Sequence, residues 1–576
     1  MKRIVKMSLL LTATASLLIV TFDNCYGLFG SQDSGSKSSL TIAGNPFIDP
    51  EKIASLPRII LNSSYPTLAN GHRILTVGRN RDYQNCQPAI DAASPGDEVV
   101  IDAGFTCTPV VLRNKGNSQN YIVIRTADLG QISPDGTRLS PTTDSPHLAN
   151  IETTLTAPAI TTEPGANFYY VDGLNLSLRP DVSTFAISIV RLGSGEETDV
   201  IQLPHDLVFS HCWVHASSQQ ETKRGVSLNA SRVSVVDSII EQIQMSTSLS
   251  NAIGGWNTGV GPFKIVNNDI SASGNNFELG GSTVTIQGEI PSDIEFRQNH
   301  IYKLSQWQNG PYQLGTFVYL TNGQRILFDG NVFENNWQQS LVNHASAGFA
   351  MALQPLSYST SQGPEAPGTM PWVRVQDINF NNNIVRNTDN GFDIAMSDPQ
   401  FSEVVSQRLA FGNNAIYQIG NSSITTNGII LLHENGPGPT AFYNNTMLSI
   451  PQSTSNLIQA ENTSAVSQFY FGNNITYNGG GGVHSPAYGT GAATLNAYFP
   501  GVYFQGNALA GQDPNNYGSY AQLNTFPSNM TAIGFLVDPT NGVSNYQNLA
   551  LSPTSSTPPI CGVNIQILAS SLGGQF

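Results

Sequence analysis

Phe296, Phe328, Phe380, Phe411, Phe442, Phe471 and Phe504 each stand three residues ahead of an asparagine. Those asparagines are Asn299, Asn331, Asn383, Asn414, Asn445, Asn474 and Asn507. Most intervals are about 30 residues, the length of one solenoid coil. A side chain that recurs once per coil stacks on its own copies and builds a core that lengthens without widening. That matters for a chain of 576 residues, which is more than one ordinary globular core holds.

The pattern extends beyond the seven repeats. Upstream, the asparagine column reads Leu174, Cys212, Ser238 and Asn268, and the phenylalanine column reads Val171, Phe209, Val235 and Ile265. Two places after the asparagine column stand Leu176, Val214, Ile240, Ile270, Ile301, Phe333, Val385, Ile416, Met447, Thr476 and Leu509. Both flanking columns are apolar in nearly every coil, so both face inward. Their odd separation breaks strand alternation, so the backbone bends between them. The expectation places the left-handed bend on the asparagine itself, with the stacked amides bonded along the axis. A third strand precedes each pair, for example at 225–229, 276–280, 349–353, 391–396, 428–432 and 456–460. The expected fold is all-β: a parallel β-helix of about 11 three-strand coils, plugged by a short N-terminal helix near 84–93. A Ser-, Gly- and Pro-rich insertion at 355–371 maps to a loop on one face.

The expected organisation is a signal peptide over 1–27, a polar tether and lead-in over 28–72 and the N-terminal cap with the first strands over 73–150. The β-helix follows over 151–533, and a C-terminal tail over 534–576 packs on it. Order is expected to begin near Arg73. Lys2, Arg3 and Lys6 precede an apolar run at 7–22, too short for a bilayer span, and Gly27 ends a small-residue cleavage site. Lipidation at Cys25 is the rival, which residues 22–24 fit poorly. The chain is thus expected to be secreted, periplasmic or at the cell surface, with no transmembrane segment, and to act as a monomer. Export permits a Cys86–Cys107 disulfide, while Cys212 reads as a small buried packing residue.

The formal charge is −15, and no Lys or Arg follows Arg408. Nucleic acid is therefore an unsuitable partner, since phosphate binding needs a basic footprint. A polyanionic glycan is disfavoured by the same field, unless a local basic patch overcomes it.

At the level of coils the chain, over roughly 75–576, resembles the right-handed parallel β-helix proteins of the pectate-lyase superfamily. Stretches such as KRGVSLN, NAIGGWNTGVGPFKIVNN, SGNNFELGG and GQRILFDGNVFENNWQ look closest to secreted bacterial β-helix proteins of unassigned function. The resemblance implies a right-handed helix and a substrate groove along the first strand of each coil, with a polysaccharide or cell-wall glycan as partner. One fold hosts many functions, so activity must be read from a site.

On that face Glu278 and Asp393 point outward about three coils apart, roughly 14 Å, too far for a glycosidase carboxylate pair. Asp398, Glu434 and Glu461 come from consecutive coils, with His433 beside them. They are open to three readings: acid/base chemistry by Asp398, Glu434 and His433 with Glu461 as partner, a Ca²⁺ site that also uses Asn435, or solvated turn residues. No metal ligand set is assigned, and Ca²⁺ is the one candidate cofactor. Lys223, Arg224, Lys264 and Lys303 are the cations available to a β-elimination, and no compact polygalacturonase-type Asp triad is present. Trp256, in a Gly-rich run, is the candidate sugar-stacking face, with Trp307, Tyr312, Tyr319 and Trp337 as possible extensions and Asp393 as a further substrate contact. His211 and His215 read as surface histidines, because their spacing suits a metal on a helix and not on a bent strand. Asp293, Arg325, Asp377 and Arg408 form an alternating-charge ladder on the solvent face of the second strand, whereas Arg232 shares their column with no evident partner. Two functions follow as expectations: a glycan-cleaving enzyme, by hydrolysis or β-elimination, or a non-catalytic rod that binds glycan or cell wall.

Overall fold

The computed structural model describes residues 49–341, 344–358, 368–420, 427–450, 453, 455–461, 465–478, 480–536, 545–552 and 562–573. The expected signal peptide, residues 28–48 of the expected tether and lead-in, and residues 359–367 of the 355–371 insertion lie outside these residues.

Three long parallel sheets make the body. The phenylalanine sheet has 15 strands and runs from Ile74–Val77 to Tyr503–Gln505. The trailing sheet, entered after the asparagine, has 13 strands from Thr106–Cys107 to Ala508–Ala510. The leading sheet also has 13 strands, from Val110–Leu112 to Gly489–Thr490. Each coil visits the leading, phenylalanine and trailing sheets in turn, which is a parallel β-helix. The first coils lack the asparagine motif, so counting the motif misses them.

The repeat sets the register. Phe296 pairs with Phe328, Phe328 with Phe380, and so on to Phe504. Neighbouring rings in this column are buried, with centroids between 4.5 and 6.3 Å apart. Along the turn, each asparagine Nδ2 donates to the Oδ1 of the asparagine one coil on, from Asn268 through Asn507 to Asn524. The same Oδ1 accepts the backbone N–H of the previous asparagine. The left-handed residue is not the ladder asparagine, as expected from sequence, but the one before it. It is Asn267, Gln298, Asn382, Asn413, Asn444 or Asn473, and glycine at Gly330 and Gly506. Turning the chain one residue early leaves the ladder side chain directed along the axis.

Both ends of the core are closed. The helix Cys86–Ala92, capped by the Asn85 side chain, buries Cys86, Ala89 and Ile90 and is tied down by a Cys86–Cys107 disulfide. At the far end, the helix Ala492–Tyr498 and the 3-10 segment Pro514–Leu523 contribute Leu495, Tyr498 and Tyr517 to the core. Cys212 is buried and free.

Two of the three sheets are dressed on the outside. The lead-in does not wait until Arg73 to become ordered; from residue 49 it runs as a strap along the outer face of the phenylalanine sheet. Ile53 and Ala54 pack on Ala410, Ala441, Tyr443 and Tyr470. The Ser55 N–H donates to Asp377 (3.0 Å), and the Arg58 N–H donates to Asp293 (2.9 Å). The Leu61 carbonyl accepts from Lys264, and the Tyr65 hydroxyl donates to Glu98 (2.7 Å). The charge ladder is real, with Arg325 on Asp293 and Arg408 on Asp377, but its face is occupied by the strap. Arg232 does have a partner, Asp206 at 2.7 Å, on the preceding coil. On the trailing sheet, Ile132, Leu139 and Leu148 cover Trp213 and Ile239. The tail places Met530, Ile533, Leu549, Val563 and Leu568 on Val332, Ile384, Leu448 and Ile475. No outward residue of the leading sheet belongs to any of these clusters.

Candidate functional site

The register fixes which residues the outer face of the leading sheet carries. One outward row reads Ser227, Gly254, Glu278, Tyr319, Ala352, Asp393, Leu431, Gln459 and His484. A second, two residues further along each strand, reads Ala395, His433 and Glu461. Loops after the strands bank this face: Val284, Met370, Val373 and Val404 cluster with Trp372 and Phe401.

His433 is the focus. It ends the strand Ile430–His433 and reaches diagonally to Asp393, with Nε2 2.8 Å from Oδ1. Because a carboxylate oxygen only accepts, this contact assigns the proton to Nε2. The other nitrogen, Nδ1, lies 4.0 Å from Glu434 Oε1. Glu434 has φ of 64°, a left-handed turn that carries the chain off the sheet and keeps its carboxylate beside the imidazole. Glu461 sits on the next strand, in register with His433. Burial pulls the His433 pKa down. The hydrogen bond and charge of Asp393, helped by Glu434 and Glu461, outweigh it and hold the group above its ordinary 6.5. Two glutamines brace the carboxylates: Gln354 donates to Asp393 Oδ2 (2.8 Å) and Gln459 to Glu461 Oε1 (3.0 Å).

Asp398 does not join them. It is 1% exposed and accepts the Ser357 N–H (2.7 Å), the Ser357 hydroxyl (2.6 Å) and the Gln400 N–H (2.8 Å). It anchors the root of the 355–371 insertion. The sequence placed three acids on consecutive coils but not the direction of each turn, and Asp398 turns in under the loop. The Ca²⁺ grouping of Asp398 with Glu434, Glu461 and Asn435 is therefore not assembled, and no cluster of three or more potential ligands occurs among the described residues.

Trp256 is 4% exposed and is no open platform, because the Arg224 guanidinium lies over its ring at 4.0 Å. Trp307 and Trp337 are buried in a cluster with Leu314, so they extend no platform either. Of the four cations considered, Lys264 donates to the strap, and Lys303 is buried against the carbonyls of Ala272, Ser273 and Gly274. Lys223 and Arg224 lie on the leading-sheet strand Glu221–Leu228, with Arg224 over Trp256. Beside them Glu278 accepts from Asn251 and from Asn275 (2.7 Å), and it lies three register steps from Asp393. Burial raises the Glu278 pKa against these donors. Tyr319 lies between the two groups, its pKa raised first by burial and then by Glu278 and Asp393. His211 is not a surface residue: it is 1% exposed, with Nδ1 3.2 Å from Asp172. His215 stacks on Trp213 at 3.8 Å.

The Asp393–His433 pairing is the feature that sequence reasoning missed. Both residues were noted, but as unrelated positions. The sheet register puts them one coil apart and two residues out of step, a diagonal neighbour on one face, whereas loops of unequal length hide that offset when it is counted from the asparagine column.

No family model matches the chain, and no curated protein does. Solved structures with a likeness include an alginate lyase from a Paenibacillus species, at 11% identity over 75% of this chain and 99% of that one, with a TM-score of 0.24. An α-1,3-glucanase from Streptomyces thermodiastaticus shares 12% identity over 78% and 70%, with a TM-score of 0.39. A family 28 exopolygalacturonase from Yersinia enterocolitica shares 11% identity over 76% and 78%, with a TM-score of 0.31. Likenesses this distant assign no substrate and no residue role to this chain.

Proposed function

We propose that this chain is an exported carbohydrate-active protein that cleaves a polysaccharide along its leading sheet, with His433 as the proton-transfer group. The observation that carries this reading is the imidazole held by Asp393 and flanked by Glu434 and Glu461, all of them half-buried on the leading sheet. A protonated His433, oriented through Nε2 by Asp393, can move a proton to a glycosidic oxygen reached from its Nδ1 side. Glu434 and Glu461 flank that side and are placed to activate water, which makes hydrolysis the favoured form. Asp398 supports the site indirectly by fixing the insertion that banks it, and Trp256 acts through Arg224. The Cys86–Cys107 bridge supports export, because such bonds persist in oxidising compartments. No described helix is long and apolar enough to cross a membrane.

A second reading is a glycan-binding rod without catalysis. The bracing of Asp393 by Gln354 and of Glu461 by Gln459 favours it, since both carboxylates already carry partners. An assay of reducing-end release from a panel of neutral and acidic polysaccharides separates the two, with the ultraviolet absorbance of unsaturated products followed in parallel. Hydrolysis gives reducing ends without that absorbance, and His433→Gln lowers kcat by about 10²–10⁴-fold. Release with the absorbance means β-elimination instead. No release from any glycan by the folded protein leaves the rod.

A further inference from the structure

Most arginines in this chain are neutralised. Arg73, Arg81, Arg125, Arg138, Arg325 and Arg408, among others, each sit within 3.1 Å of a carboxylate oxygen. Lys223 and Arg224 break this rule. They are consecutive on the strand Glu221–Leu228, both half-buried, and neither side chain has an ion pair or a hydrogen bond among the described residues. The Arg224 Nε is buried with no partner at all. Its guanidinium is held flat on Trp256, so its orientation is fixed without its donors being used.

The surrounding groups do not neutralise the pair. Arg191, on the adjacent strand, adds a third cation and donates to the Ser194 carbonyl. Glu221 is taken up by the N–H and hydroxyl of Ser246. Glu278, the other acid near them, acts electrostatically on both cations, but burial raises its pKa, and it accepts from Asn251 and Asn275. Adjacent like charges removed from water are costly unless something of opposite charge arrives. Preorganised, unpaired donors on an open face are the usual form of an anion site. The overall charge of −15 argues against anionic partners, and this patch is the local exception.

We infer that Lys223 and Arg224, with Arg191 beside them, form an anion-recognition subsite that binds a carboxylate or sulfate group carried by the glycan. The inference rests on the leading sheet being the glycan-binding face. The subsite lies on the strand Glu221–Leu228, two strands beyond Glu278 and five strand spacings or about 24 Å from Asp393. It therefore reads a substituent several sugar rings from the proton-transfer group and sets substrate preference without taking part in the chemistry.

The test is affinity of the full chain for three probes of matched length: a polyuronate, a sulfated glucan and a neutral glucan. The expected result is at least about tenfold tighter binding to one anionic probe than to the neutral one, weakening as salt rises. The better of the two anionic probes identifies the group as carboxylate or sulfate. Arg224→Gln should weaken that binding about tenfold or more and Lys223→Gln about threefold to tenfold, whereas Lys115→Gln on the distant cap should not change it. Lys223→Gln does not touch the Trp256 stack, so it remains informative if Arg224→Gln fails to fold. Equal affinity for the neutral glucan, or unchanged binding in Lys223→Gln, overturns the subsite. Anion preference lost in Lys223→Gln, with no glycan cleaved by the wild type, keeps the subsite and removes the enzyme reading. Cleavage of a neutral glucan unaffected by either substitution does the reverse.

Discussion

The phenylalanine sheet and the leading sheet are wound from the same coils, yet they meet their surroundings in opposite ways. Outside the phenylalanine sheet lie Ala410, Ala441, Tyr443 and Tyr470, and a strap of chain packs on them. Outside the leading sheet lie Glu278, Tyr319, Asp393, His433 and Glu461, and no strap or tail cluster includes them. The inward residues of both faces are equally apolar. The division of labour is therefore made by the outward residues: one face adds stability, and the other keeps Asp393, His433 and Glu461 half-buried, with Glu278 buried three coils and more away.

Substitutions on the two faces should separate stability from activity. The largest stability effect is expected in the turn that links the dressed sheets. Asn414→Ala removes the acceptor of Asn383 and the donor to Asn445, all buried, and should cost about 3 kcal/mol or more in denaturant unfolding. Next, Asp377→Ala strips Arg408 of its carboxylate and the strap of its Ser55 anchor, and should cost about 2 kcal/mol. Asp393→Asn, on the open face, should leave unfolding within about 1 kcal/mol of wild type while removing most of any glycan cleavage. If Asp393→Asn destabilises as much as Asp377→Ala, the two faces do not differ in the way described.

Acid and base should also act on different faces. The His433 pKa is raised, so its protonated form, and any activity or stability that depends on it, is complete below about 6.5 and lost as pH rises through the higher folded value. A pH–rate profile should show that loss on its alkaline limb, and Asp393→Asn should move the limb to lower pH. On the trailing sheet, burial pushes Glu334 up, but the His300 hydrogen bond and the Arg386 charge bring it down to about 2 from 4.5. Its contribution is present above 4.5 and lost as pH falls toward about 2, which acid unfolding of Glu334→Gln would report as a missing component. The smallest effect expected is Tyr65→Phe, which loses one hydrogen bond to Glu98 at the far end of the strap, about 1 kcal/mol in a thermal melt.

The coil repeat was legible because stacking repeats the same demand on every coil. Phe411 and Asn414 each meet their own kind above and below, so the sequence shows the same letters at the same interval. The strap was not legible, because its partners are remote. Ser55 and Asp377 are 322 residues apart, and Arg58 and Asp293 are 235 apart. The cue was present in Ile53, Leu56, Ile59, Ile60 and Leu61, an apolar run inside what composition presents as a tether. Arg232 was misread for a related reason: its partner Asp206 lies on the coil before it, not the one after. The candidate site was half legible. The outward position of Asp393 followed from alternation, and His433, Glu434 and Glu461 were expected together just beyond the strand ends, but the diagonal reach of His433 and the inward turn of Asp398 depend on rotamers and loop direction.

By itself the sequence determined a parallel β-helix, its three strands per coil, its asparagine ladder and the capping helix, and it permitted the disulfide that the structure shows tying that cap. Each of these is set by contacts that recur at fixed spacing or lie close along the chain. The tertiary structure alone decided which faces are covered, that Trp256 lies beneath Arg224, and that His433 meets Asp393 rather than Asp398. Those outcomes depend on single contacts between distant segments, and a contact made once leaves no period in the sequence to read.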